Sequence, residues 1–320
     1  MNMRKSLGMF FGVLLGIIFG STSISAFSTS EPGVGLLYKA IEIGEMEKAK
    51  ELLAGIDVNT QDFLGYTPLY KAVFYNRVDF VKYLFELGAN ANLSDVEGLG
   101  PIHVATLENL PGMIKTLKDK GADIEAKDKY GYTPLHLAAD QGSLNTAKQL
   151  IYAGANVNSR SEWGGTPLHA SVAKKNIDLI RLLITNGAKL GVKDRLGRTS
   201  IHWAAEKGDL AIAKLLLIKG AEIDSQDNDG ETALHEAAKW GHLKLIQFFI
   251  NHGANINAVG SDGRAPIHIA IAHGNIDIVN LIKKHGAILK FERRGSLQAT
   301  TRTSAIARGH PRHALEAGSR

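Results

Sequence analysis

The stretch Gly131-Tyr132-Thr133-Pro134-Leu135-His136-Leu137-Ala138-Ala139 returns, altered but recognisable, every 33 residues along most of the chain. Its copies begin at Thr67, Gly100, Thr133, Thr166, Thr199, Thr232 and Ala265, with no insertion or deletion between them. A Gly-Ala pair keeps the same interval, at Gly88, Gly121, Gly154, Gly187, Gly220, Gly253 and Gly286. Two markers locked in phase over seven copies constrain the fold more than any composition does. Each unit buries its apolar face against its neighbours, and the chain is a stacked repeat array.

The positions within a unit have separate physical roles. Thr133 suits a helix N-cap, where its hydroxyl accepts from a free backbone N–H. Pro134 follows at the first helical position, where no N–H is lost. Leu135 is the apolar anchor, and Ala138 and Ala139 leave room for close helix packing. Gly142 ends this short helix. Leu144, Ala147, Leu150 and Ile151 then recur at helical spacing, and Gly154 closes the second helix in a left-handed C-cap. Thr-Pro-Leu-His-x-Ala at this period resembles the ankyrin repeat, over roughly residues 34 to 290. The resemblance implies an all-α repeat solenoid of about eight helix–turn–helix units joined by β-hairpin loops. Some copies depart from the pattern: Ser200 and Ala233 replace Pro, Tyr70 replaces His, and Gly112 weakens a second helix that opens at Pro111.

The ends differ from the array. Arg4 and Lys5 precede an apolar run of 13 residues, Leu7 to Phe19, and then Ser21-Thr22-Ser23-Ile24-Ser25-Ala26. That layout predicts a secretory signal over residues 1–26, cut after Ser25 or Ala26. The alternative is an uncleaved anchor, though the run is shorter than the roughly 20 residues a span needs. The chain has no cysteine, which excludes a lipid-anchored cysteine and any disulfide, so packing alone must hold the fold. The array itself is placed at 27–290. Within it, residues 34–66 read as a degenerate N-terminal cap with a polar outer face, followed by seven repeats over 67–290. Lys283 stands where other copies carry Phe85, Ile151, Ile184, Leu217 or Ile250, which marks the opposite cap. Residues 291–320, with six Arg and two Glu and no apolar period, read as a basic, disordered tail. The net charge of +5 divides into +2 from the signal and +4 from the tail, leaving −1 for 27–290. Basicity therefore belongs to the ends and argues poorly for nucleic-acid binding by the fold.

The recurrence of His103, His136, His169, His202, His235 and His268 invites a metal or catalytic reading. Adjacent ones lie one helix layer apart, about 10 Å, whereas zinc ligands must converge within about 2.1 Å of one ion. In ankyrin repeats this His hydrogen-bonds the Thr-Pro turn, so the resemblance implies a structural role. His235-Glu236-Ala237-Ala238-Lys239 nearly matches a zinc-protease motif, but Lys239 stands where the second His is required. Asp62, Asp95, Asp128, Asp194 and Asp227 are turn formers. No phosphate loop or nucleophile elbow is present, so no cofactor, metal, catalytic residue or small-molecule substrate is expected.

Surface remains. The hairpin tips carry Phe63 and Tyr66, then Val96 and Leu99, then Tyr130 and Tyr132, then Trp163, and switch to Lys193, Arg195 and Arg198. Turn tips are normally polar, and Tyr, Trp and Arg are the types enriched at binding hot spots. Phe63, Tyr130 and Trp163 are expected to meet a partner, in one row with Arg195 and Arg198. Tyr66 and Tyr132 fit partner contact and packing equally. Trp240, late on a first helix, borders the same groove, and Trp203 is assigned to the core. The reading is an exported, monomeric, non-enzymatic scaffold, periplasmic or secreted, that binds a partner protein through the concave face of its array. Alternatives are an effector that engages host proteins, and nucleic-acid or anionic-surface binding through the Arg-rich tail.

Overall fold

The computed structural model describes residues 32–289. Among them are sixteen helices and no strand. The helices form eight pairs, from Pro32–Ile43 with Met46–Leu53 to Pro266–Ala272 with Ile276–Lys284. First helices pack more closely on one another than second helices do, which curves the array with the first helices on its inner side. Alanine makes this possible: Ala138, Ala139, Ala204, Ala205, Ala237 and Ala238 are wholly buried between neighbouring first helices. The predicted signal and the predicted tail lie outside the described residues. Within the described residues no helix is long and apolar enough to cross a membrane.

A central unit shows how the sequence builds each pair. Pro134–Gln141 opens on Thr133 in extended backbone and closes at Gly142, whose φ is 75°. Leu144–Tyr152 then turns Ala147 and Leu150 inward. Where Gly142, Gly208 and Gly241 take the left-handed conformation, other units place Asn76, Asn109 and Lys175 in it, with φ of 52°, 52° and 57°. Asn tolerates that region better than Lys. Leu135, Leu168, Ile201, Leu234 and Ile267 form one continuous stripe along the array, each 1 % exposed or less. In the first pair, Leu37 and Ile41 are buried while Glu45, Glu47 and Glu51 face outward. Lys283 is exposed, whereas Phe85, Ile151, Ile184, Leu217 and Ile250 are half-buried.

The imidazoles join one unit to the next. His136 Nδ1 accepts from the Thr133 N–H at 3.2 Å and lies 2.8 Å from its hydroxyl, while Nε2 faces the Gly165 carbonyl of the following unit at 3.1 Å. An Nδ1 that accepts leaves the proton on Nε2, which donates to that carbonyl. His169, His202 and His235 repeat the arrangement onto Arg198, Glu231 and Arg264 carbonyls at 3.3, 3.1 and 3.1 Å. The threonine hydroxyl thus turns to imidazole. At Thr67, where Tyr70 replaces His, it accepts from the helix N–H as an N-cap, at 3.0 Å.

A second set of side chains stitches the outer loops. Asn59, Asn92, Glu125 and Asn158 accept from the backbone N–H groups of Asn90, Asp123, Asn156 and Lys189 at 2.7, 2.8, 2.8 and 2.8 Å. Asp224 and Asn257 do the same for Asn255 and Ile288, at 2.9 and 2.9 Å. In the fifth of the seven places on this beat stands Gly191, which has no side chain to make the bond.

Candidate interaction surface

Five tips are tight turns built by one carboxylate, and Ser161 and Gly260 stand in its place in two others. Asp128 Oδ1 accepts from the Tyr130 and Tyr132 N–H groups, both at 2.8 Å, and Gly131 completes the turn with φ of 73°. Asp62, Asp95, Asp194 and Asp227 do the same in their own tips. Backbone bonds close the turn as well, Asp128 N–H to Tyr132 O at 3.0 Å and Gly131 N–H to Asp128 O at 2.9 Å. One backbone bond links each tip to the next: Val96 to Leu64 O at 3.0 Å, Lys129 to Glu97 O at 2.9 Å, Glu162 to Tyr130 O at 2.9 Å and Arg195 to Trp163 O at 2.8 Å.

This register sorts the tip residues into two neighbouring rows instead of the single row expected from sequence. Phe63, Val96, Lys129, Glu162, Arg195 and Asn228 form the first row, all exposed. Leu64, Glu97, Tyr130, Trp163, Leu196 and Asp229 form the second. A second-row residue lies beside the first-row residue of the following tip, because its carbonyl holds that residue's N–H. Trp163 is accordingly 42 % exposed with the Arg195 guanidinium 5.4 Å from its ring, while Arg195 also lies 3.6 Å from Glu162. Glu97 and Lys129 form an ion pair by the same geometry, and Lys129 Nζ is 5.0 Å from the Tyr130 ring. Phe63 is 59 % exposed.

Several of the candidate residues serve the stack instead. Arg198 is 17 % exposed at its side chain, with Nε 3.1 Å from Asp194 Oδ2 and a terminal nitrogen 3.0 Å from Glu206. Its charge is spent inside the protein, so it is not the open basic contact the sequence suggested. Lys193, though exposed, donates to the Gln226 carbonyl at 2.8 Å, as Arg160 does to Lys193 O at 2.7 Å and Gln61 to Ser94 O at 2.9 Å. Tyr66 is half-buried against Tyr70 with ring centroids 4.5 Å apart, and Lys71 Nζ lies 3.9 Å from its ring. Tyr132 is half-buried, its ring 5.7 Å from the His136 imidazole. Leu99 turns inward and is buried.

Trp203 packs on the core but is only half-buried. It stands where Leu137 and Ile269 are buried, but the larger indole reaches the inner surface, and its N–H donates to Asp194 Oδ2 at 3.1 Å. The Arg198 guanidinium lies 4.2 Å from that ring. Trp240 is half-buried and donates to Glu236 Oε2 at 2.9 Å. Sequence reasoning passed over a set of ion pairs at the ends of the first helices: Lys174 with Asp140 at 3.2 Å, Lys207 with Glu206 at 3.0 Å and Lys239 with Glu236 at 3.5 Å. The signal that finds them is the period itself. Lys174, Lys207 and Trp240 share one register position, and Asp140, Glu206 and Lys239 the one before it.

Burial sets the protonation of the histidines. His103, His136, His169 and His235 are pushed down to about 4, chiefly by desolvation, and His202 is also lowered. Both ring nitrogens of His136, His169, His202 and His235 are engaged in the bonds above, and each points to backbone rather than to another imidazole. Among the described residues no group of three or more possible metal ligands converges.

The comparisons agree with this architecture. The family profile described as ankyrin repeats (3 copies) matches residues 88–161, 135–227 and 201–292, and a second, ankyrin repeats (many copies), matches 52–105. No curated protein matches the sequence at a significant level. Among solved structures, the ankyrin repeat domain of Bcl-3, titled a unique member of the IkappaB protein family, is similar at a TM-score of 0.61 and 29 % identity. That match covers 68 % of this chain and 99 % of the other. With the period, the Thr-Pro-Leu-His turn, the paired helices and the matched profiles in agreement, the chain belongs to the ankyrin-repeat family.

Proposed function

We propose that this protein is an exported scaffold that binds a partner protein along its tips and inner face and catalyses no reaction. Ankyrin repeats are in general protein–protein interaction modules. The single observation that carries the reading here is the exposure of Phe63, Val96, Trp163 and Leu196 at turn tips, where polar residues are the norm. An extended partner segment would cross the apolar tips first and then the Trp163–Arg195 pair. The Arg195–Glu162 contact is exposed on both sides and of the kind worth little by itself, so a partner carboxylate can replace Glu162 there.

The test is affinity capture from the native compartment with mature protein. Trp163→Ala should weaken binding by about 30-fold or more, as truncation of a hot spot does, and shift folding stability by less than about 0.5 kcal/mol. Arg195→Glu should act in the same direction. Retention of the partner by both variants, measured by titration calorimetry, would move the site away from the tips.

Export rests on Arg4, Lys5, the Leu7–Phe19 run and the small residues after it. The N-terminus of protein recovered from outside the cytoplasm should lie between Ser23 and Ser28. An intact Met1 on membrane-bound protein would instead indicate an anchor.

A further inference from the structure

The second helices, on the outer side of the curve, carry a row of cations. Lys82, Lys115, Lys148, Arg181 and Lys214 hold the same position in five successive units, at the strict 33-residue interval. Lys148 is half-buried and the other four are exposed. Successive members stand one helix layer apart, about 10 Å. The first two have acids on their own helices: Lys82 lies 3.9 Å from Asp79, and Lys115 pairs with Asp119 at 2.6 Å. Beyond them the acids run out. Leu144–Tyr152, Leu210–Ile218 and Leu243–Asn251 contain no Asp or Glu, and Ile177–Thr185 contains one, Asp178. Lys214 Nζ lies 5.7 Å from the centre of the Phe248 ring. Residues 27–290 are nearly neutral in sum, so the positive excess marks this face and not the whole fold.

The same face displays apolar groups. Tyr152 and Ile218 are each 80 % exposed, more than any other large apolar side chain among the described residues. They follow Lys148 and Lys214 by four residues and share their side of the helix. Arg181 belongs to the unit between them. This combination selects among anionic partners. A nucleic-acid backbone would answer the cations and leave the aliphatic Ile218 in water. A rigid protein would need a separate pocket for each protruding side chain. A lipid headgroup layer offers phosphates to the cations and also takes in the apolar groups, and tyrosine favours that boundary. We propose that the outer face of the fourth to sixth helix pairs rests on an anionic lipid surface. Lys148, Arg181 and Lys214 meet its phosphates there, and Tyr152 and Ile218 enter between the headgroups. The tips and the inner face stay free for a protein partner.

Co-sedimentation of mature protein with phosphatidylcholine vesicles containing about a third phosphatidylglycerol tests this. Binding should fall at least tenfold when phosphatidylglycerol is omitted, and weaken as salt is raised. The triple variant Lys148→Glu, Arg181→Glu, Lys214→Glu should bind about 100-fold more weakly, because each cation near an anionic surface contributes about fivefold. Tyr152→Ser with Ile218→Ser should bind about tenfold more weakly at unchanged charge. All five side chains lie at the surface, so both variants should keep the melting temperature of the parent. Equal binding to neutral vesicles would overturn the proposal, as would a triple variant that binds as tightly as the parent. Binding that survives the triple reversal and disappears on deletion of residues 291–320 would assign the contact to the basic tail instead. Full binding by the serine variant would leave only the attraction of cations, which a nucleic-acid backbone satisfies equally, and would overturn the choice of lipid.

Discussion

Lowering the pH from 7 to 5 should destabilise the array by several kcal/mol, well before the carboxylates of an ordinary protein are protonated. Five imidazoles are held neutral by burial, four of them down to about 4, against about 6.5 in an unfolded chain. Because their folded values are depressed, the unfolded state takes up protons first as pH falls. Stability is lost progressively from about 6.5 down to about 4, by on the order of 2 kcal/mol for each such His at pH 5. Protonation would also convert an accepting Nδ1 into a donor facing the Thr133 or Thr166 N–H. The buried and half-buried carboxylates work in the opposite direction. Asp95, Asp128, Asp140, Glu108 and Glu231 are raised, mainly by burial, so the folded state binds their protons more readily. Backbone N–H bonds hold down the rise at Asp95 and Asp128, and these groups blunt the histidine effect. Guanidinium denaturation at pH 7, 6 and 5 should show the midpoint falling steeply. A midpoint constant across that range would mean the imidazoles are not buried neutral.

Leu135→Ala should cost about 2–5 kcal/mol, the range for truncating an enclosed leucine. Leu135 is wholly buried in the middle of the array. A cavity there acts on more than one unit, because stability in a stacked array is a sum of unit and interface contributions. The positions of the indoles allow the result to be read by region. Trp163, Trp203 and Trp240, the three tryptophans of the chain, all follow the altered unit. Fluorescence therefore reports the later half and circular dichroism the whole. If the mutation uncouples the halves, the two denaturation curves should separate. Coincident curves with a loss below about 1 kcal/mol would mean that the neighbours collapse onto the cavity.

Much of this was legible in the sequence because a period converts one unit's chemistry into a statement about all of them. The roles of Leu135, Gly142 and Asp128 follow from local rules, and so does the place of His136 in the turn. The tips were harder. Phe63 and Tyr130 are one position apart in the turn, and only the backbone bond from each tip to the next reveals that this places them in different rows. Arg198 looked like an open cation because its partner Glu206 lies on the following helix, beyond the reach of turn grammar. Trp203 looked like core because Leu137 and Ile269 are, and residue size, which decides whether a side chain stops short of the surface, is invisible to a register argument.

The missing stitch at Gly191 has a mechanical meaning. Every other joint on that beat is fastened by a side chain that grips the following loop, so the array is a row of equally riveted plates with one rivet absent. Compliance should concentrate at that joint. On its near side lie the apolar tips and Trp163, and beyond it Trp203 and Trp240. A partner that bridges the joint would therefore meet a surface able to change its pitch at one seam, and by gripping both sides it would stiffen the whole array.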